Sequence, residues 1–304
     1  MSETKAKITV IGAGLMGHGI AQVFALAGHD VTIYDSFAQT LMSAKERIRT
    51  NLKDLGDNQS AVDRVTPEAD LAKGVRDADY VVEAVLEDLP LKQKLFAEIE
   101  QHVRPDTILA SNTSVIPITD IMQGLKRRER AVGTHWWNPP YLVPLVEVIE
   151  TQWTSPGTTA FTMKLHADAG KMPAHVKKDV PGFIGNRLQH ALWREAIALV
   201  ENGICDAETV DTVIKAAFGR RLAVLGPLEN ADMVGTDLTL AIHKTVLPAI
   251  DSRPRPSPYL EKLVQEGKLG FKSGEGFRTW TPEQQAALRS KVLQHLKAAR
   301  AKDN

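Results

Sequence analysis

The 304-residue sequence predicts an α/β domain, in which helices cover both faces of a doubly wound parallel sheet, followed by a smaller all-helical domain. Up to about residue 184, short β-rich runs alternate with segments whose apolar residues recur at helical spacing. After Val180-Pro181-Gly182 only the helical spacing continues. A chain of this length usually exceeds one hydrophobic core. We therefore predict a first domain over residues 1–184 and a second over residues 185–304.

The strands of the first domain are expected where short apolar runs are bounded by polar or turn residues. These runs cover residues 7–11, 30–34, 79–85, 107–110, 131–134 and 143–149. Helices are expected between them, at residues 37–55 and 90–103, and in the second domain at residues 185–202, 206–217, 228–250 and 282–300. Strands that alternate with helices favour parallel pairing.

A glycine-rich turn, GAGLMG over residues 12–17, joins the first strand to the first helix. This context is the one that a Rossmann-type dinucleotide site requires. The first glycine permits a tight turn, the second lets the backbone approach a pyrophosphate, and the third lets the helix pack on the strand. The helix N-terminus then favours the anion. The predicted cofactor-binding residues here are Gly12, Gly14, Leu15, Met16 and Gly17.

Asp35 closes the second strand and indicates which dinucleotide is used. A carboxylate at this place accepts hydrogen bonds from the ribose hydroxyls of NAD and repels the additional phosphate of NADP. Residues 36–38 (SFA) supply no arginine for that phosphate. The sequence therefore favours NAD as the cofactor.

His135 and Glu147 are the strongest candidates for catalysis. His135 follows a predicted strand and precedes a Trp-Trp-Asn-Pro-Pro turn, and Glu147 lies in the apolar run VPLVEVI. Because an unpaired buried charge is costly, a returning strand that places Glu147 beside His135 would explain the glutamate. Such a carboxylate fixes the imidazole tautomer and stabilises the imidazolium. From spacing alone, a solvated glutamate near a hydrogen-bonded histidine is equally consistent.

Two further segments carry polar groups that are candidates for the same site. Asn112 and Ser114 belong to the SNTS run at residues 111–114, which follows another predicted strand end. Asn186 opens the first helix of the second domain, where it is as consistent with a helix N-cap as with a ligand contact. A cleft between two domains is a usual place for a small-molecule site.

Composition and charge exclude several other classes of protein. Lysine plus arginine equals aspartate plus glutamate, at 37 each, so no global basic field attracts nucleic acid. A single cysteine, Cys205, allows neither an internal disulfide nor a cysteine-cluster metal site, and no metal site is predicted. No run approaches ~18 apolar residues, so no membrane span is expected. The first strand has no apolar signal segment before it, and we expect a cytoplasmic enzyme.

From end to end, the sequence resembles the L-3-hydroxyacyl-CoA dehydrogenase family. Seven motifs carry this resemblance in order: GAGLMGHGIA at 12–21, VEAVLEDLPLKQKLF at 82–96, SNTS at 111–114, HWWNPP at 135–140, LVEVIET at 145–151, DVPGFIGNR at 179–187 and GKLGFKSGEGF at 267–277. So many motifs in one order are far more specific than any single motif.

The resemblance implies a role for each matching residue. His135 corresponds to the catalytic histidine, which takes the hydroxyl proton of the substrate while hydride leaves to NAD, and Glu147 to its carboxylate partner. Ser114 and Asn186 correspond to residues that hydrogen-bond the reacting oxygen and the imidazole region. Residues near the cofactor correspond to Glu87, Lys92, Asn112 and Ser114. The resemblance also implies fatty acid metabolism and a homodimer formed through the helical domain.

The same resemblance makes a short 3-hydroxyacyl-CoA, such as 3-hydroxybutyryl-CoA, the expected substrate. The phosphates of CoA need surface cations, for which Lys53, Lys92, Lys94 and Arg64 are candidates. The segment Trp136–Tyr141 differs from the usual family pattern and is also similar to relatives that act on other substrates. They include L-gulonate 3-dehydrogenase, carnitine dehydrogenase and a pyridine-aldehyde dehydrogenase of vitamin B6 breakdown. The two indoles are expected to narrow the space beside the histidine, or to stack on a flat substrate.

A non-catalytic role on the same fold, as in the lens crystallins of this family, is the alternative of another class. Such a protein has no physical need for a carboxylate in an apolar strand. The presence of His135, Glu147, Ser114 and Asn186 together therefore favours an enzyme.

Overall fold

The structure, a computed structural model, describes residues 5–303. Within these residues, eight strands form one sheet in the order β3-β2-β1-β4-β5-β6-β7-β8. The strands are β1 (Lys7–Ile11), β2 (Asp30–Tyr34), β3 (Val65–Glu68), β4 (Tyr80–Glu83), β5 (Ile108–Ser111), β6 (Ala131–Trp136), β7 (Leu145–Glu150) and β8 (Met172–Val176). Strands β1 to β6 pair in parallel. The predicted α/β fold is confirmed.

Twelve α-helices accompany the sheet within the described residues. They are α1 (Leu15–Leu26), α2 (Ala38–Leu55), α3 (Leu71–Val75), α4 (Leu89–Ile99), α5 (Ile118–Met122), α6 (Pro156–Asp168), α7 (Gly185–Glu201), α8 (Ala207–Ala216), α9 (Pro227–Val234), α10 (Thr236–Val246), α11 (Pro258–Gln265) and α12 (Pro282–Asp303). None of these helices is long and apolar enough to cross a membrane. The strands up to β8 and the helices after it confirm the expected order of α/β domain and helical domain.

The sequence prediction missed both edge strands of the sheet, β3 and β8. Each contains a proline, Pro67 or Pro173, which cannot donate a ladder hydrogen bond and is tolerated at a sheet edge. The single helix predicted for residues 228–250 is also wrong. Gly235 has a φ of 100° and separates α9 from α10. Helix α11 was not predicted, although Ser257 caps it and Pro258 occupies its first turn.

Strand β7 runs antiparallel to β6, whereas the other neighbouring strands of the sheet pair in parallel. The loop of residues 137–144 returns the chain directly beside β6, so that no crossover helix is needed. In this register His135 lies opposite Glu147. Cross-strand partners in an antiparallel pair point to the same face of the sheet. The hairpin therefore brings together two side chains that are twelve positions apart.

The described chain forms two compact units. The first runs to Arg187 and also includes the end of the chain from Leu293, and the second covers Leu188–Val292. The predicted boundary at residue 184 thus lies three residues before the division in the structure. The final turns of α12 join the first unit because Arg300 forms an ion pair with Asp57 at 2.9 Å.

A buried histidine, His166, lies inside the core of the first unit. Its ring contacts the rings of Phe24, Tyr80 and Trp136, with centroid distances of 5.7, 6.0 and 5.1 Å. Its Nδ1 lies 2.7 Å from the carbonyl oxygen of Thr162. Burial lowers the pKa of His166 to about 4, because the apolar surroundings disfavour the imidazolium.

This burial predicts a specific loss of stability in acid. In the unfolded chain His166 binds its proton near pH 6.5, but in the folded chain it does so only near pH 4. The free energy of unfolding therefore falls as the pH drops through this window, by at most about 1.4 kcal/mol per pH unit. His166→Met removes this proton and should flatten the decline, as measured by urea unfolding at pH 7, 6 and 5. His295→Gln, at an exposed position, should keep the wild-type slope. Equal slopes for all three proteins would contradict the prediction.

Candidate active site

The glycine turn between β1 and α1 leaves an open space at the N-terminus of α1. A Cβ atom on Gly12 would lie 2.6 Å from the carbonyl oxygen of Ala84, and one on Gly17 would lie 1.7 Å from the carbonyl oxygen of Gly12. The fold itself therefore requires these two glycines. A Cβ atom on Gly14 would have no atom of the described residues within 4 Å. The free space at Gly14 fits the close approach of a pyrophosphate.

Asp35 is held in place at the end of β2, next to this turn. Its Oδ2 accepts a hydrogen bond from the N–H of Ala13 at 2.7 Å, and its Oδ1 accepts one from the N–H of Phe37 at 2.8 Å. The carboxylate is only partly buried. It is thus oriented beside the glycine turn, where the adenosine ribose of a dinucleotide lies in this fold.

His135 and Glu147 form a buried hydrogen-bonded pair. Nδ1 of His135 lies 2.7 Å from Oε2 of Glu147, and the side chains are 5% and 2% exposed. The other oxygen, Oε1, accepts hydrogen bonds from the N–H groups of Ile184 at 2.9 Å and Gly185 at 3.0 Å. Burial alone would raise the pKa of Glu147, but the hydrogen bonds from His135, Gly185 and Ile184 hold it below its usual value. Glu147 is therefore a carboxylate at neutral pH.

The packing around His135 fixes its ring. Because a carboxylate can only accept, Nδ1 is the donor in this contact, and in the neutral imidazole Nε2 then carries the lone pair. The rings of Trp137 and Phe183 pack against the imidazole, with centroid distances of 5.2 and 5.7 Å. A Cβ atom on Gly185 would lie 2.5 Å from the Trp137 ring, so only glycine fits there. The arrangement can hold a basic nitrogen in one orientation.

Ser114 and Asn186 lie together beside this pair. Nδ2 of Asn186 donates a hydrogen bond to the carbonyl oxygen of Ser114 at 2.8 Å, and the side chain of Ser114 is exposed. Helix α7 begins at Gly185, so Asn186 lies within its first turn and is not its N-cap. Because Gly185 also binds Glu147, the structure brings all four predicted catalytic residues to one place.

Lys92 is buried between two carboxylates. Its Nζ lies 2.5 Å from Oε1 of Glu83 and 3.3 Å from Oε2 of Glu87, and its side chain is 1% exposed. Glu87 also accepts hydrogen bonds from the hydroxyl of Thr113 and the N–H of Ser114. Burial would raise the pKa of Glu87, but the hydrogen bond from Thr113 and the charge of Lys92 lower it. The ion pairs hold the SNTS loop at the carboxyl edge of the sheet.

Two of the cations expected to hold the phosphates of CoA are placed elsewhere. Lys92 is enclosed by its carboxylate partners and does not reach the surface. Arg64 forms an ion pair with Asp30 at the beginning of β2, the edge of the sheet opposite to Asp35. Lys53, Lys94 and Arg64 are all exposed, but Arg64 lies at the other end of the strands, so Lys53 and Lys94 remain as candidates.

The expectation that two indoles lie beside the histidine is wrong for Trp136. Side chains alternate along a strand, so Trp136 points to the opposite face from His135 and packs against Phe24. The following turn also packs away from the histidine. A Cβ atom on Gly19 of α1 would lie 3.0 Å from Pro140 and 3.3 Å from Tyr141. These departures from the family pattern serve packing in the first unit, and of the two indoles only that of Trp137 packs against His135.

Asn112 contributes to the site through the backbone of β6. Its Oδ1 accepts a hydrogen bond from the N–H of Trp136 at 3.0 Å, and the side chain is buried. This contact joins the end of β5 to the end of β6, next to His135. Its predicted contact with the cofactor stays a prediction, as do those of Glu87 and Lys92.

Two residues at this edge of the sheet were not predicted from the sequence. Glu83 is fully buried and binds Lys92 and the hydroxyl of Ser111, the latter at 2.6 Å. A glutamate within the apolar run DYVVEAV is the same signal that identified Glu147, and it could have identified Glu83. Arg47, in the middle of α2, reaches the carbonyl oxygen of Ala13 at 2.5 Å. No local pattern in the sequence indicates that contact.

Comparisons with known proteins identify the family of this chain and several relatives. Residues 7–180 match the family profile described as 3-hydroxyacyl-CoA dehydrogenase, NAD binding domain, and residues 182–280 match that of the C-terminal domain. The chain is 37% identical over 299 residues to 5-formyl-3-hydroxy-2-methylpyridine 4-carboxylate 5-dehydrogenase of Mesorhizobium japonicum, with 96% of each chain covered. It is 39% identical over 287 residues to human mitochondrial hydroxyacyl-coenzyme A dehydrogenase, and the alignment covers 89% of this chain and 90% of that protein. A crystal structure of 5-formyl-3-hydroxy-2-methylpyridine 4-carboxylic acid 5-dehydrogenase, an NAD⁺-dependent dismutase, matches with a TM-score of 0.91, 36% identity and 99% coverage of both chains.

The different surroundings of Gly14 and Gly17 predict different effects of the same substitution. Gly14→Ala should fold with an unchanged melting temperature, because its Cβ atom meets no protein atom, but it should weaken NADH binding about tenfold or more by filling the phosphate space. Gly17→Ala should lower the melting temperature, because its Cβ atom would overlap the backbone of Gly12. Thermal melting and NADH fluorescence titration measure the two effects. Normal NADH affinity in a folded Gly14→Ala variant would contradict the assignment of this space.

Proposed function

The chain belongs to the 3-hydroxyacyl-CoA dehydrogenase family, an NAD-dependent family, and we propose that it interconverts a short L-3-hydroxyacyl-CoA and its 3-oxoacyl-CoA with His135 and Glu147 as the catalytic pair. The observation that carries this proposal is the 2.7 Å contact between Nδ1 of His135 and the buried carboxylate of Glu147. It leaves Nε2 of the imidazole as a base at the carboxyl edge of the sheet, where ligands bind in this fold.

In the proposed reaction, Nε2 of His135 removes the hydroxyl proton of the substrate. The imidazolium that forms is stabilised by Glu147, whose negative charge is maintained by the two backbone N–H groups of Ile184 and Gly185. NAD, when bound, accepts the hydride that leaves the substrate carbon. In the reverse direction, the imidazolium returns its proton to the carbonyl oxygen.

Ser114 and Asn186 are proposed to orient the reacting groups. Ser114 is exposed, and the side-chain amide of Asn186 donates a hydrogen bond to the backbone carbonyl oxygen of Ser114. A hydroxyl and an amide fixed in this way can hold the substrate oxygen near the imidazole. Much of the rate enhancement would then come from positioning.

Substitution of the pair should separate catalysis from cofactor binding. His135→Gln should lower kcat by roughly 10²–10⁴-fold, the usual contribution of general acid–base catalysis, with NADH affinity nearly unchanged. Glu147→Gln should also lower kcat, because it removes the charge that stabilises the imidazolium. His175→Gln is a matched control, since His175 pairs with Glu150 at 3.0 Å on the neighbouring strands. Full activity of His135→Gln would refute the proposed role.

An acyl-CoA substrate is favoured because 3-hydroxyacyl-CoA dehydrogenase relatives match both units of the chain. The sequence feature that argued against it, the pair of indoles, is reduced to Trp137 because Trp136 and Pro140 pack away from His135. Lys53 and Lys94 remain available as exposed cations. These considerations support a CoA ester as the first candidate.

A pyridine aldehyde is the second candidate substrate. One observation favours it: the indole of Trp137 lies against the imidazole of His135, where a flat ring can pack. The relative that covers 96% of this chain is named for oxidising such a compound. In that reaction water would first add to the aldehyde, and His135, in the same orientation, would remove a hydroxyl proton of the hydrate as hydride leaves to NAD and the carboxylic acid forms.

A substrate panel distinguishes the candidates. We expect kcat/KM for acetoacetyl-CoA reduction to exceed the values for free acetoacetate, dehydrocarnitine, a 3-oxo sugar acid and pyridine aldehydes. The apparent affinity for the CoA ester should weaken with salt, because its phosphates are held by surface cations. Trp137→Leu should lower kcat/KM for any pyridine aldehyde more than for acetoacetyl-CoA. A higher kcat/KM for the aldehyde would replace the first candidate with the second.

We also propose a homodimer formed through the helical unit. Within residues 5–303, helices α9 and α10 contain no buried residue, although both carry large apolar side chains. Their exposed apolar residues include Leu228, Met233, Leu238 and Ile242. An apolar surface of this kind on paired helices is typical of an interface.

The mass of the protein in solution tests this proposal. Light scattering should give twice the mass of one chain, and the double variant Leu238→Glu/Ile242→Glu should give the mass of a single chain, because buried charges oppose association. Lys244→Glu, on the same helix, serves as a control that keeps the apolar side chains. A monomeric wild-type protein would refute the dimer.

A further inference from the structure

Arg47 lies near the middle of α2, and its guanidinium reaches the glycine turn. Nη2 donates hydrogen bonds to the carbonyl oxygens of Ala13 at 2.5 Å and Thr40 at 3.1 Å. Nη1 lies 3.4 Å from the carbonyl oxygen of Gly14. The long side chain thus brings a positive charge from another helix to the first turn of α1.

The carboxylate of Asp35 and the guanidinium of Arg47 bind opposite sides of the backbone of Ala13. The N–H of Ala13 donates to Asp35, and the carbonyl oxygen of Ala13 accepts from Arg47. The backbone that precedes Gly14 is therefore fixed from both directions. No atom of Arg47 lies within 4 Å of the position that a Cβ atom on Gly14 would take, so the guanidinium leaves that space free.

The carboxylate of Asp35 attracts the charge of Arg47 but balances it only in part. Among residues 5–303, no carboxylate lies within ion-pair distance of Arg47, and its Nε is buried without a hydrogen-bond partner. The first turn of α1 contains no acidic residue. A helix N-terminus is already positive, so an unpaired cation beside it costs free energy unless an anion is present. The arrangement points to an anionic ligand.

We propose that Arg47 is a cofactor-binding residue whose guanidinium holds the glycine turn and supplies positive charge to the phosphates of NAD. The inference depends on the NAD site of the family and is independent of the proposed catalytic pair and substrate. Guanidinium groups suit this task because their charge is permanent and their N–H groups fit phosphate oxygens.

Three substitutions at this position separate the charge from the hydrogen bonds. Arg47→Gln keeps donors for the carbonyl oxygens but removes the charge, and we expect the Kd for NADH to rise roughly tenfold or more at low salt. Arg47→Met, which removes both, should bind at least as weakly. Arg47→Lys restores the charge and should recover part of the affinity. Arg49→Met is the matched control, because Arg49 lies on the same helix and pairs with exposed Glu46.

The salt dependence of the Kd distinguishes an electrostatic role from a structural one. Affinity of the wild-type protein for NADH, measured by fluorescence titration, should weaken with salt more steeply than that of Arg47→Gln, so that the two curves converge at high salt. Melting temperatures identify any variant that does not fold, and in that event Arg47→Lys against Arg49→Met still gives the answer. If folded Arg47→Gln binds NADH like Arg49→Met at low salt, the proposal is overturned. If Arg47→Gln is unfolded, binding of NADH by Arg47→Lys that is weaker than that of Arg49→Met at low salt, with the same salt dependence, supports the proposal, and binding as tight as that of Arg49→Met overturns it.

Discussion

The buried carboxylate of Glu147 is the group on which the rest of the site depends. A charge removed from water costs several kcal/mol unless hydrogen bonds and a partner compensate it. Here the compensation comes from three donors at once: the imidazole of His135 on β6, the N–H of Ile184 just before α7, and the N–H of Gly185, the first residue of α7. Because each donor must stay in place to satisfy the charge, the carboxylate fixes the hairpin, the imidazole and the first turn of α7 together.

The same constraint operates at the neighbouring strands. Glu83 at the end of β4 is fully buried, and its charge is balanced by Lys92, which in turn binds Glu87. Glu87 then accepts hydrogen bonds from the loop that carries Ser114. Buried carboxylates thus connect strand ends to the loops that follow them, on both sides of Asn112. The carboxyl edge of the sheet is organised by charge that the fold cannot leave unpaired.

Features encoded within a few neighbouring residues were predictable from the sequence. The glycine turn has its meaning from the strand before it and the helix after it, and Glu147 stands out because it interrupts an apolar strand. Side chains alternate along β6 and place Trp136 away from His135, but the strand predicted from the sequence ended at Thr134, so the prediction treated both indoles alike. The edge strands β3 and β8 escaped detection because their prolines weaken the strand pattern. The contact of Arg47 with Ala13 depends on the packing of two helices, which no local pattern reveals.

The central claim is that Glu147 holds His135 with its proton on Nδ1 and its lone pair on Nε2. The most direct measurement is the ¹⁵N NMR spectrum of the histidine side chains in folded, uniformly ¹⁵N-labelled protein. The signals of His135 are assigned by comparison with His135→Gln. The account predicts that, in the neutral imidazole of His135, Nδ1 carries hydrogen and shows a pyrrole-type shift, while Nε2 shows a pyridine-type shift. An inverted pattern, with hydrogen on Nε2 and a free Nδ1, would contradict the account, because Nε2 could not then accept the proton of a substrate.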